Sequence, residues 1–484
     1  MNLAGTAARG TLVTLSGQWA KFGTQFASIV ILARLVTPDE FGKFAMIMAV
    51  VGTATILSDF GLSLAAIQAP TLTNGQRNNL FWINSAAGAL LAGLIYVLAG
   101  PVSAFFDDGA LQPFVEMLAI VFLASGVSVQ FRADLTRNMR FVSLAVSDVV
   151  AQVVGLAVAV AVAAQGYGLW ALVAQQVTAA VVLVPCVALC VRSAPGLPVR
   201  GANMRPLLSF GANTAATQFI TYSSSNIDSV LLGKLHTSAE LGVYDRAYQL
   251  FRIPMMGLAA PLTRVALPVL SKIVDDRERY LRYVVRAQKV LSYTLLGAFA
   301  FAAGIADPLL ALVLGPGWDG APLIFRILAV GGAFQALSYV YYWIFQSTGR
   351  VDIHLRYSLY GRLLMIMCIA LGAVQGAVGA AIGSSVGFGV VWFVYTRWGV
   401  PCTGVSVWPL LRVLVAPVVL YLGLAFLTGC VVSLLPPGLN SFGKIILSAL
   451  AGLLYLAIAW WAVTPVRKDV TDIGDVIVRA VRRK

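Results

Sequence analysis

The chain of 484 residues is too apolar for a soluble domain, because 59% of its residues are hydrophobic, only 11% are charged and its mean hydropathy is +0.85. A helix that spans a bilayer needs about 20 apolar residues, so the apolar part of the chain suffices for about fourteen such helices. The net charge of +14 admits either nucleic-acid binding or an unequal distribution of basic residues across a membrane.

Apolar runs separated by short polar breaks predict fourteen transmembrane helices. The connections between the runs are too short for a separate soluble domain. In chain order, the predicted spans are 11–36, 41–67, 79–105, 113–131, 141–164, 168–191, 207–234, 240–271, 287–314, 321–346, 354–374, 377–398, 408–434 and 442–464.

The basic residues predict how these helices cross the membrane. If the amino terminus and every even-numbered loop share one side, that side and the tail hold 23 lysines and arginines. The other side holds only four, namely Arg34, Lys43, Lys234 and Lys444. The positive-inside rule then places both termini in the cytoplasm, and no nucleic-acid partner is expected. The tail sequence TDIGDVIVRAVRRK has an amphipathic pattern typical of a helix on the anionic inner leaflet.

One short segment occurs twice, at an offset of 200 residues. Residues 31–46 read ILARLVTPDEFGKFAM, and residues 231–246 read LLGKLHTSAELGVYDR. Both copies contain a Thr-x-x-Glu sequence, beginning at Thr37 and at Thr237, which predicts a capping box at a helix start. Each copy therefore predicts a tight hairpin outside the membrane that joins two helices.

The same offset relates the helices before the two hairpins, since Gln18 and Gln218 are equivalent. Six predicted spans separate the copies, and this even number makes the repeats parallel, as in the two lobes of rocking transporters. The sequence thus predicts an all-α integral membrane protein of about fourteen transmembrane helices, with two six-helix lobes and two additional helices. The predicted parts are the lobes 1–200 and 201–400, the two additional helices 401–466 and the basic tail 467–484.

Polar residues follow one face of the first and seventh predicted helices at spacings of three and four. Equivalent helices with polar faces indicate an aqueous cleft between the lobes, although polar packing between helices also explains them. The candidate substrate-binding residues on these two helices are Gln18, Lys21, Gln218, Tyr222 and Asn226.

Several cations lie in or near later spans, and Arg252 and Arg264 of the eighth helix are the principal candidates among them. If most face the cleft, they favour an anionic substrate such as a phosphate group, which arginine binds with paired donors. The remaining cations are Arg246, Lys289, Arg326 and Arg362.

Export of a charged substrate without a nucleotide motor requires an ion gradient or consumption of the product outside. Coupling to protons needs a carboxyl group that changes its charge in the cleft. Asp228 is the first candidate, because it ends the polar face of the seventh helix, and Asp59 and Asp148 are the others. The alternative for Asp228 is a structural ion pair with Arg246 or Lys234.

Catalytic and nucleotide-binding patterns are weak. Gly438 and the Gly443-Lys444 pair match the beginning of a P-loop, but Ile445 replaces the required Ser or Thr, so we interpret the segment as a helical hairpin. The Asp107-Asp108 pair is interpreted as a solvated turn. Two histidines without ligand spacing predict no metal site, and we expect no cofactor and no enzymatic activity.

Several segments together resemble the bacterial polysaccharide transporter family, which belongs to the multidrug/oligosaccharidyl-lipid/polysaccharide exporter superfamily. They are LARLVTPDEFG, SDFGLSLAAIQ, SNIDSVLLGKL, LGVYDRAYQLFRIP, LTRVALPVLSKI, LGPGW and STGR, in this order. The resemblance implies a flippase of the inner membrane that moves an oligosaccharide linked to undecaprenyl pyrophosphate for O-antigen, capsule or exopolysaccharide assembly. It also implies membrane lipids as partners, with a polysaccharide polymerase and chain-length machinery as possible ones. These motifs do not fix the binding residues.

Three other functions compete with this interpretation. A multidrug or organic-cation exporter of the same superfamily needs an acidic cleft, which Lys21, Arg252 and Arg264 oppose. A membrane enzyme of the same pathway is expected to have a large outside loop or a cytoplasmic domain. A general sugar or amino-acid symporter is the third.

Overall fold

A computed structural model describes residues 3–57, 61–69, 71–191, 195–211, 214–215 and 226–482. Contacts divide the chain into two compact units, Met1–Gly242 and Val243–Lys484. The predicted second hairpin, up to Gly242, therefore packs with the first unit. Each unit is considered by itself.

The first unit is built from long helices. They are α1 (Leu3–Leu32), α2 (Pro38–Leu57), α3 (Leu62–Gln68), α4 (Asn74–Phe105), α5 (Gln112–Arg137), α6 (Phe141–Ala163), α7 (Gly168–Cys190) and α8 (Ile227–Leu235), followed by the start of α9 (Ser238–Pro254). Residues 205–211 are also helical.

Small residues allow the helices of the first unit to approach closely. A methyl group on Gly88 of α4 would lie 2.8 Å from the Cα atom of Gly126 on α5, and a methyl group on Gly155 of α6 would lie 2.8 Å from the carbonyl oxygen of Gln175 on α7. Because lipid provides no hydrophobic force between spanning helices, such close packing is a main source of their association.

The second unit continues α9 and adds eleven helices among the residues that the structure describes. They are α10 (Ala260–Lys272), α11 (Arg277–Leu291), α12 (Gly297–Gly304), α13 (Ala306–Leu314), α14 (Ala321–Ser347), α15 (Val351–Ala373), α16 (Gly376–Val394), α17 (Trp408–Arg412), α18 (Val415–Leu434), α19 (Ser441–Ala462) and α20 (Thr464–Arg482).

Wide π turns interrupt three helical runs of the second unit. They are Met255–Ala259 after α9, Ser292–Leu296 after α11 and Tyr395–Gly399 after α16. The first of these turns and Pro254 divide the predicted eighth span, so Arg252 and Arg264 lie on two separate helices.

Nine helices within the described ranges are long and apolar enough to cross a membrane, or ten if the bent pair Arg277–Gly304 and Ala306–Leu314 forms one span. The prediction of an all-α, multi-span membrane protein is therefore confirmed, and the number fourteen stays a prediction. The weak break at Gln375-Gly376 is real, because α15 ends at Ala373 and α16 begins at Gly376.

Local predictions at helix starts also hold. The first capping box forms, since the carboxylate of Glu40 accepts from the backbone N–H of Thr37 at 2.9 Å, and the Thr37 hydroxyl accepts from the N–H of Glu40 at 3.4 Å. In the second copy the Thr237 hydroxyl accepts from the N–H of Glu240 at 3.3 Å. The segment that resembled a P-loop is a hairpin, where the side chain of Asn440 caps α19 by accepting from the N–H of Gly443 at 2.8 Å.

Candidate functional site

Three charged side chains of the first unit meet where α1, α5 and α6 pack together. The guanidinium of Arg132 donates to both carboxylate oxygens of Asp148, one of them at 3.3 Å. The ammonium of Lys21 lies 3.8 Å from the same carboxylate. These residues form the Lys21 cluster, which unites two predicted candidates, Lys21 and Asp148, with Arg132, one of the 23 basic residues on the predicted cytoplasmic side.

Close packing of α1 on α6 makes this meeting possible. A methyl group on Gly17 would lie only 2.4 Å from the Cβ atom of Ala145, so the two helices touch one turn before Lys21. Further along α1, the side-chain amide of Gln175 on α7 donates to the hydroxyl of Ser28 at 2.7 Å. The polar face of α1 thus serves partly as packing and partly as a support for Lys21.

The charge balance of the Lys21 cluster favours anions. Two cations share a single carboxylate, and the cations remain accessible: the side chain of Lys21 is 39% exposed and that of Arg132 is 32% exposed, against 15% for Asp148. A guanidinium that already binds a carboxylate with two donors has the geometry that phosphate oxygens require. The cluster is therefore suited to exchange contacts with a phosphate group.

The two copies of the repeated hairpin contact each other in the first unit. A methyl group on Gly42 would lie 1.6 Å from the carbonyl oxygen of Ser238, and one on Gly242 would lie 1.9 Å from the carbonyl oxygen of Pro38. Gly242 is 200 positions after Gly42, and Ser238 is 200 positions after Pro38, so the contact is nearly symmetric. We name this region, Pro38–Gly42 against Ser238–Gly242, the hairpin contact.

Polar groups hold the hairpin contact together. The hydroxyl of Ser238 donates to the carboxylate of Asp39, which also lies 3.1 Å from the ammonium of Lys43. Burial alone would raise the pKa of Asp39, but the hydrogen bond from Ser238 and the nearby Lys43 outweigh it and hold the pKa below its ordinary value. Asp39 is therefore a carboxylate at neutral pH.

The turn between α4 and α5 binds both hairpins. Asp107, in a left-handed conformation with φ 55°, pairs with Lys234 of the second hairpin. Asp108 lies 3.8 Å from Lys43 of the first hairpin, and its side chain accepts from the N–H of Ala110. The interpretation of this acidic pair as a merely solvated turn was incomplete, because both carboxylates contact lysines of the repeated segment.

Three of the predicted cations pair with carboxylates of the second unit. Arg246 donates to Asp245 at 2.6 Å. Arg326 pairs with Asp307, and Lys289 pairs with Asp469. These three cations thus pair with carboxylates of their own unit, and the orientation of the later cations toward a cleft stays a prediction.

The two principal arginines differ in what the structure describes. Arg252 is exposed near the end of α9. Arg264 lies on α10, and its side chain is outside the described residues. Tyr244, near the start of α9, is buried, with its hydroxyl 3.2 Å from that of Ser384.

Some of the remaining predicted residues lie in the parts of the chain that the structure describes, and others lie outside them. Asn226 precedes the first residue of α8, and Asp228 is 4% exposed on that helix, where its carboxylate accepts from the N–H of Ser229 at 2.9 Å. Lys234, one predicted partner of Asp228, pairs with Asp107, and Arg246, the other, pairs with Asp245. The side chain of Gln18, as well as Asp59, Gln218 and Tyr222, lies outside the described residues.

Comparison with protein families identifies the class of this chain. Residues 31–323 match the family described as "Polysaccharide biosynthesis protein". Because the match extends over more than half of the sequence, the chain belongs to this family, and the resemblance seen in its motifs is confirmed.

Individual relatives carry names from several glycan pathways. The lipopolysaccharide biosynthesis protein WzxC of Escherichia coli (strain K12) is 26% identical over 380 residues, which cover 74% of this chain and 75% of that protein. The teichuronic acid biosynthesis protein TuaB of Bacillus subtilis (strain 168) is 26% identical over 69% of this chain and 71% of its own length. The succinoglycan biosynthesis transport protein ExoT of Rhizobium meliloti (strain 1021) is 23% identical over 64% of this chain and 63% of its own length.

Two solved structures share the fold. The lipid II flippase MurJ, in an inward closed conformation, superimposes with a TM-score of 0.73 at 12% identity and covers 93% of this chain and 99% of its own. A multidrug resistance MATE family transporter of the MOP superfamily, in an inward-facing conformation, gives a TM-score of 0.60 at 16% identity and covers 83% and 99%. At these identities the likeness concerns the fold alone.

Proposed function

We propose that this chain is a flippase of the bacterial inner membrane that moves a lipid-linked oligosaccharide outward for O-antigen, capsule or exopolysaccharide assembly. The carrier lipid is undecaprenyl pyrophosphate. The supporting observation is family membership over residues 31–323, together with relatives named for lipopolysaccharide, teichuronic acid and succinoglycan biosynthesis. Both termini lie in the cytoplasm, and the repeated hairpins lie outside.

In this mechanism the Lys21 cluster receives the pyrophosphate. Phosphate oxygens replace part of the Asp148 carboxylate around Arg132 and Lys21, whose side chains are about one-third exposed. The two cations then bind the pyrophosphate, and Asp148 pairs with them again after the substrate is released. Arg252 and Arg264 of the second unit are separate candidate contacts for an anionic substrate.

The hairpin contact acts as the outer seal in alternating access. Close backbone approach at Gly42 and Gly242 and the hydrogen bond between Ser238 and Asp39 join the two copies. Both interactions must break for a glycan to leave on that side. The pairs Asp107 with Lys234 and Asp108 with Lys43 stabilise the sealed arrangement.

Asp228 is the first candidate for proton coupling, and Asp148 and Asp59 follow. Asp228 is buried, so a change in its charge has a large energetic consequence for its surroundings. Asp228→Asn keeps the shape of the side chain and cannot titrate. If Asp228 couples transport, the Asn variant loses the sensitivity to collapse of the proton gradient that the native protein shows.

Deletion of the gene tests the proposed function. We expect loss of one surface glycan and accumulation of its lipid-linked precursor on the cytoplasmic side, with unchanged sensitivity to organic cations. Unchanged glycans with increased sensitivity to cationic drugs would instead support the multidrug exporter. A precursor that is shorter than in the native strain would support an enzyme of the pathway.

Two glycine substitutions test the seal. Gly42→Ala places a methyl group 1.6 Å from the Ser238 carbonyl oxygen, whereas Gly23→Ala on α1 meets no atom of the described residues within 4 Å. We expect Gly42→Ala to abolish export with the protein still present in the membrane, and Gly23→Ala to export normally. Normal export by both variants would exclude the hairpin contact from the mechanism.

A further inference from the structure

Helix α11 buries one face against the rest of the second unit and exposes arginines on the opposite face. Its buried side chains are Tyr280, Val284, Gln288 and Leu291, at spacings of four, four and three. The exposed side chains of Arg279, Arg282 and Arg286 recur at spacings of three and four on the other side. Asp276 caps the helix by accepting from the N–H of Arg279 at 3.1 Å, so this arginine face begins at a fixed position.

The C-terminal helix α20 is held against α11 by a buried ion pair. The ammonium of Lys289 contacts Asp469 and lies 3.5 Å from Asp472. The hydroxyl of Tyr293 also donates to Asp469, at 3.2 Å. Val466, one turn before Asp469, packs in an apolar cluster with Tyr293.

Docking of α20 in this orientation leaves its basic residues accessible. Arg467 and Lys468 are exposed, whereas Val466 and Asp469 are buried. Of the acidic residues nearby, Asp469 and Asp472 share Lys289 as their partner, and Glu278 pairs with Arg282. Because the described lysines and arginines of α11 and of the start of α20 outnumber these acids, the described surface carries a net positive charge.

The end of α19 indicates the depth of this surface in the membrane. Trp460 and Trp461, exposed by 44% and 76%, directly precede α20. Exposed tryptophans at the end of a spanning helix are typical of the bilayer interface, at the level of the lipid headgroups. An amphipathic helix that follows such residues lies along the membrane surface.

We propose that the exposed surface formed by Arg279, Arg282, Arg286, Arg467 and Lys468 binds anionic phospholipid headgroups of the inner leaflet. We name it the basic platform. Its charge complements the headgroups, and the helix that contributes Arg467 and Lys468 directly follows the interfacial tryptophans. Lys289 is not part of the lipid contact, because Asp469 and Asp472 occupy it. This inference does not depend on the proposed cargo.

Lipid retention by the purified full-length protein tests the basic platform. The protein is extracted from bilayers that contain equal amounts of phosphatidylglycerol and phosphatidylcholine, and the bound lipids are identified by native mass spectrometry. We expect the native protein to retain mainly phosphatidylglycerol. One basic residue at an anionic surface contributes about 1 kcal/mol, or about fivefold in affinity. The triple variant R279Q/R282Q/R286Q should therefore reduce retention at least tenfold.

A matched triple variant provides the control. R200Q/R205Q/R350Q removes three exposed arginines from the same predicted side of the membrane and leaves the platform intact. Its phosphatidylglycerol retention should equal that of the native protein. Equal losses in both triple variants would mean that only total charge matters and would overturn the proposal.

Salt provides a measurement that needs no variant. Exposed charges are screened at high ionic strength, so retention of phosphatidylglycerol by the native protein should fall steeply between 0.05 and 0.5 M sodium chloride, where the Debye length shortens from roughly 14 to 4 Å. Retention without headgroup preference, or a preference unaffected by salt, would also overturn the proposal.

Discussion

The structure contains two clusters in which a lysine, a carboxylate and further polar groups meet inside helical packing. The Lys21 cluster of the first unit has two cations for one carboxylate, and its cations are 39% and 32% exposed. The second, which we name the Lys289 cluster, consists of Lys289, Tyr293, Asp469 and Asp472. The side chain of Lys289 is 17% exposed and that of Asp469 is 12% exposed, and the cluster has two acids for one cation.

This difference distinguishes a candidate anion-binding site, the Lys21 cluster, from a structural ion pair, the Lys289 cluster. In the Lys289 cluster the ammonium is paired within its own unit and, together with Asp469, is largely removed from solvent, so the cluster holds α20 and offers little to a ligand. Among the described residues the Lys21 cluster has one cation more than carboxylates, and its cations are accessible, which favours binding of an anion. We therefore expect substitutions in the first cluster to affect transport and substitutions in the second to affect stability.

Arg132→Gln should give the largest effect on transport. The substitution removes both donors to Asp148, and with them the bidentate partner for a phosphate, so we expect export to fall about a hundredfold while the protein remains folded. Arg132→Lys keeps the charge without the paired donors and should recover only part of the activity. Export is measured by complementation of the deletion strain, and abundance by immunoblotting.

Arg77 provides a control in the same unit. It lies 3.6 Å from Asp134, and its side chain is 19% exposed, so its environment resembles the Lys289 cluster more than the Lys21 cluster. Arg77→Gln should reduce abundance more than export per molecule. If Arg132→Gln behaves in the same way as Arg77→Gln, the Lys21 cluster is structural and the distinction between the two clusters fails.

Lys289→Met should give the largest loss of stability. It leaves the buried carboxylate of Asp469 without its cation, which typically costs about 3 kcal/mol. Thermal unfolding in detergent should shift downward, and a spin label at Thr471 on α20 should become more mobile.

The charge-swapped variant tests the pairing itself. The double variant K289D/D469K should recover part of the lost stability relative to either single variant, because the pair is restored with reversed direction. Additive losses in the double variant would show that Lys289 and Asp469 do not act on each other.

The sequence identifies Lys21 and Asp148 separately, but not their meeting with Arg132. Hydropathy predicts that the fourth span ends at residue 131, whereas α5 continues to Arg137. The last turns of α5 have polar partners, because Arg137 donates to the carbonyl oxygens of Ala66 and Ala69, both at 2.7 Å. The packing of α1 on α6 depends on close contact between small residues, and the periodicity of apolar residues does not show which helices pack together.

The same limit applies to Lys289. An isolated cation near a predicted span suggests a cleft, yet its partners lie 180 and 183 residues later in the tail. Capping boxes were predictable because their donors and acceptors are three residues apart. Long-range ion pairs leave no comparable local pattern, so a charge inside a membrane helix does not by itself distinguish a ligand site from a support.

Lys21→Gln should reduce export less than Arg132→Gln. Lys21 lies 3.8 Å from Asp148 and has one ammonium group, so it contributes a charge but no paired hydrogen bonds. We expect export to fall about tenfold, with unchanged thermal stability. Arginine at this position should retain most of the export activity. A loss of stability without a loss of export per molecule would assign Lys21 to packing.

Asp472→Asn should give the smallest effect, and it tests whether the Lys289 cluster depends on the buried acid alone. The side chain of Asp472 is 54% exposed and lies 3.5 Å from Lys289, whereas Asp469 is in direct contact and receives a hydrogen bond from Tyr293. An ion pair at such exposure is screened by solvent and contributes less than about 1 kcal/mol. Asp472→Asn should therefore leave thermal unfolding and the mobility of α20 nearly unchanged, in contrast to Asp469→Asn. If the two variants lose equal stability, Lys289 is held by both acids together and α20 is more open to solvent than its burial at Asp469 indicates.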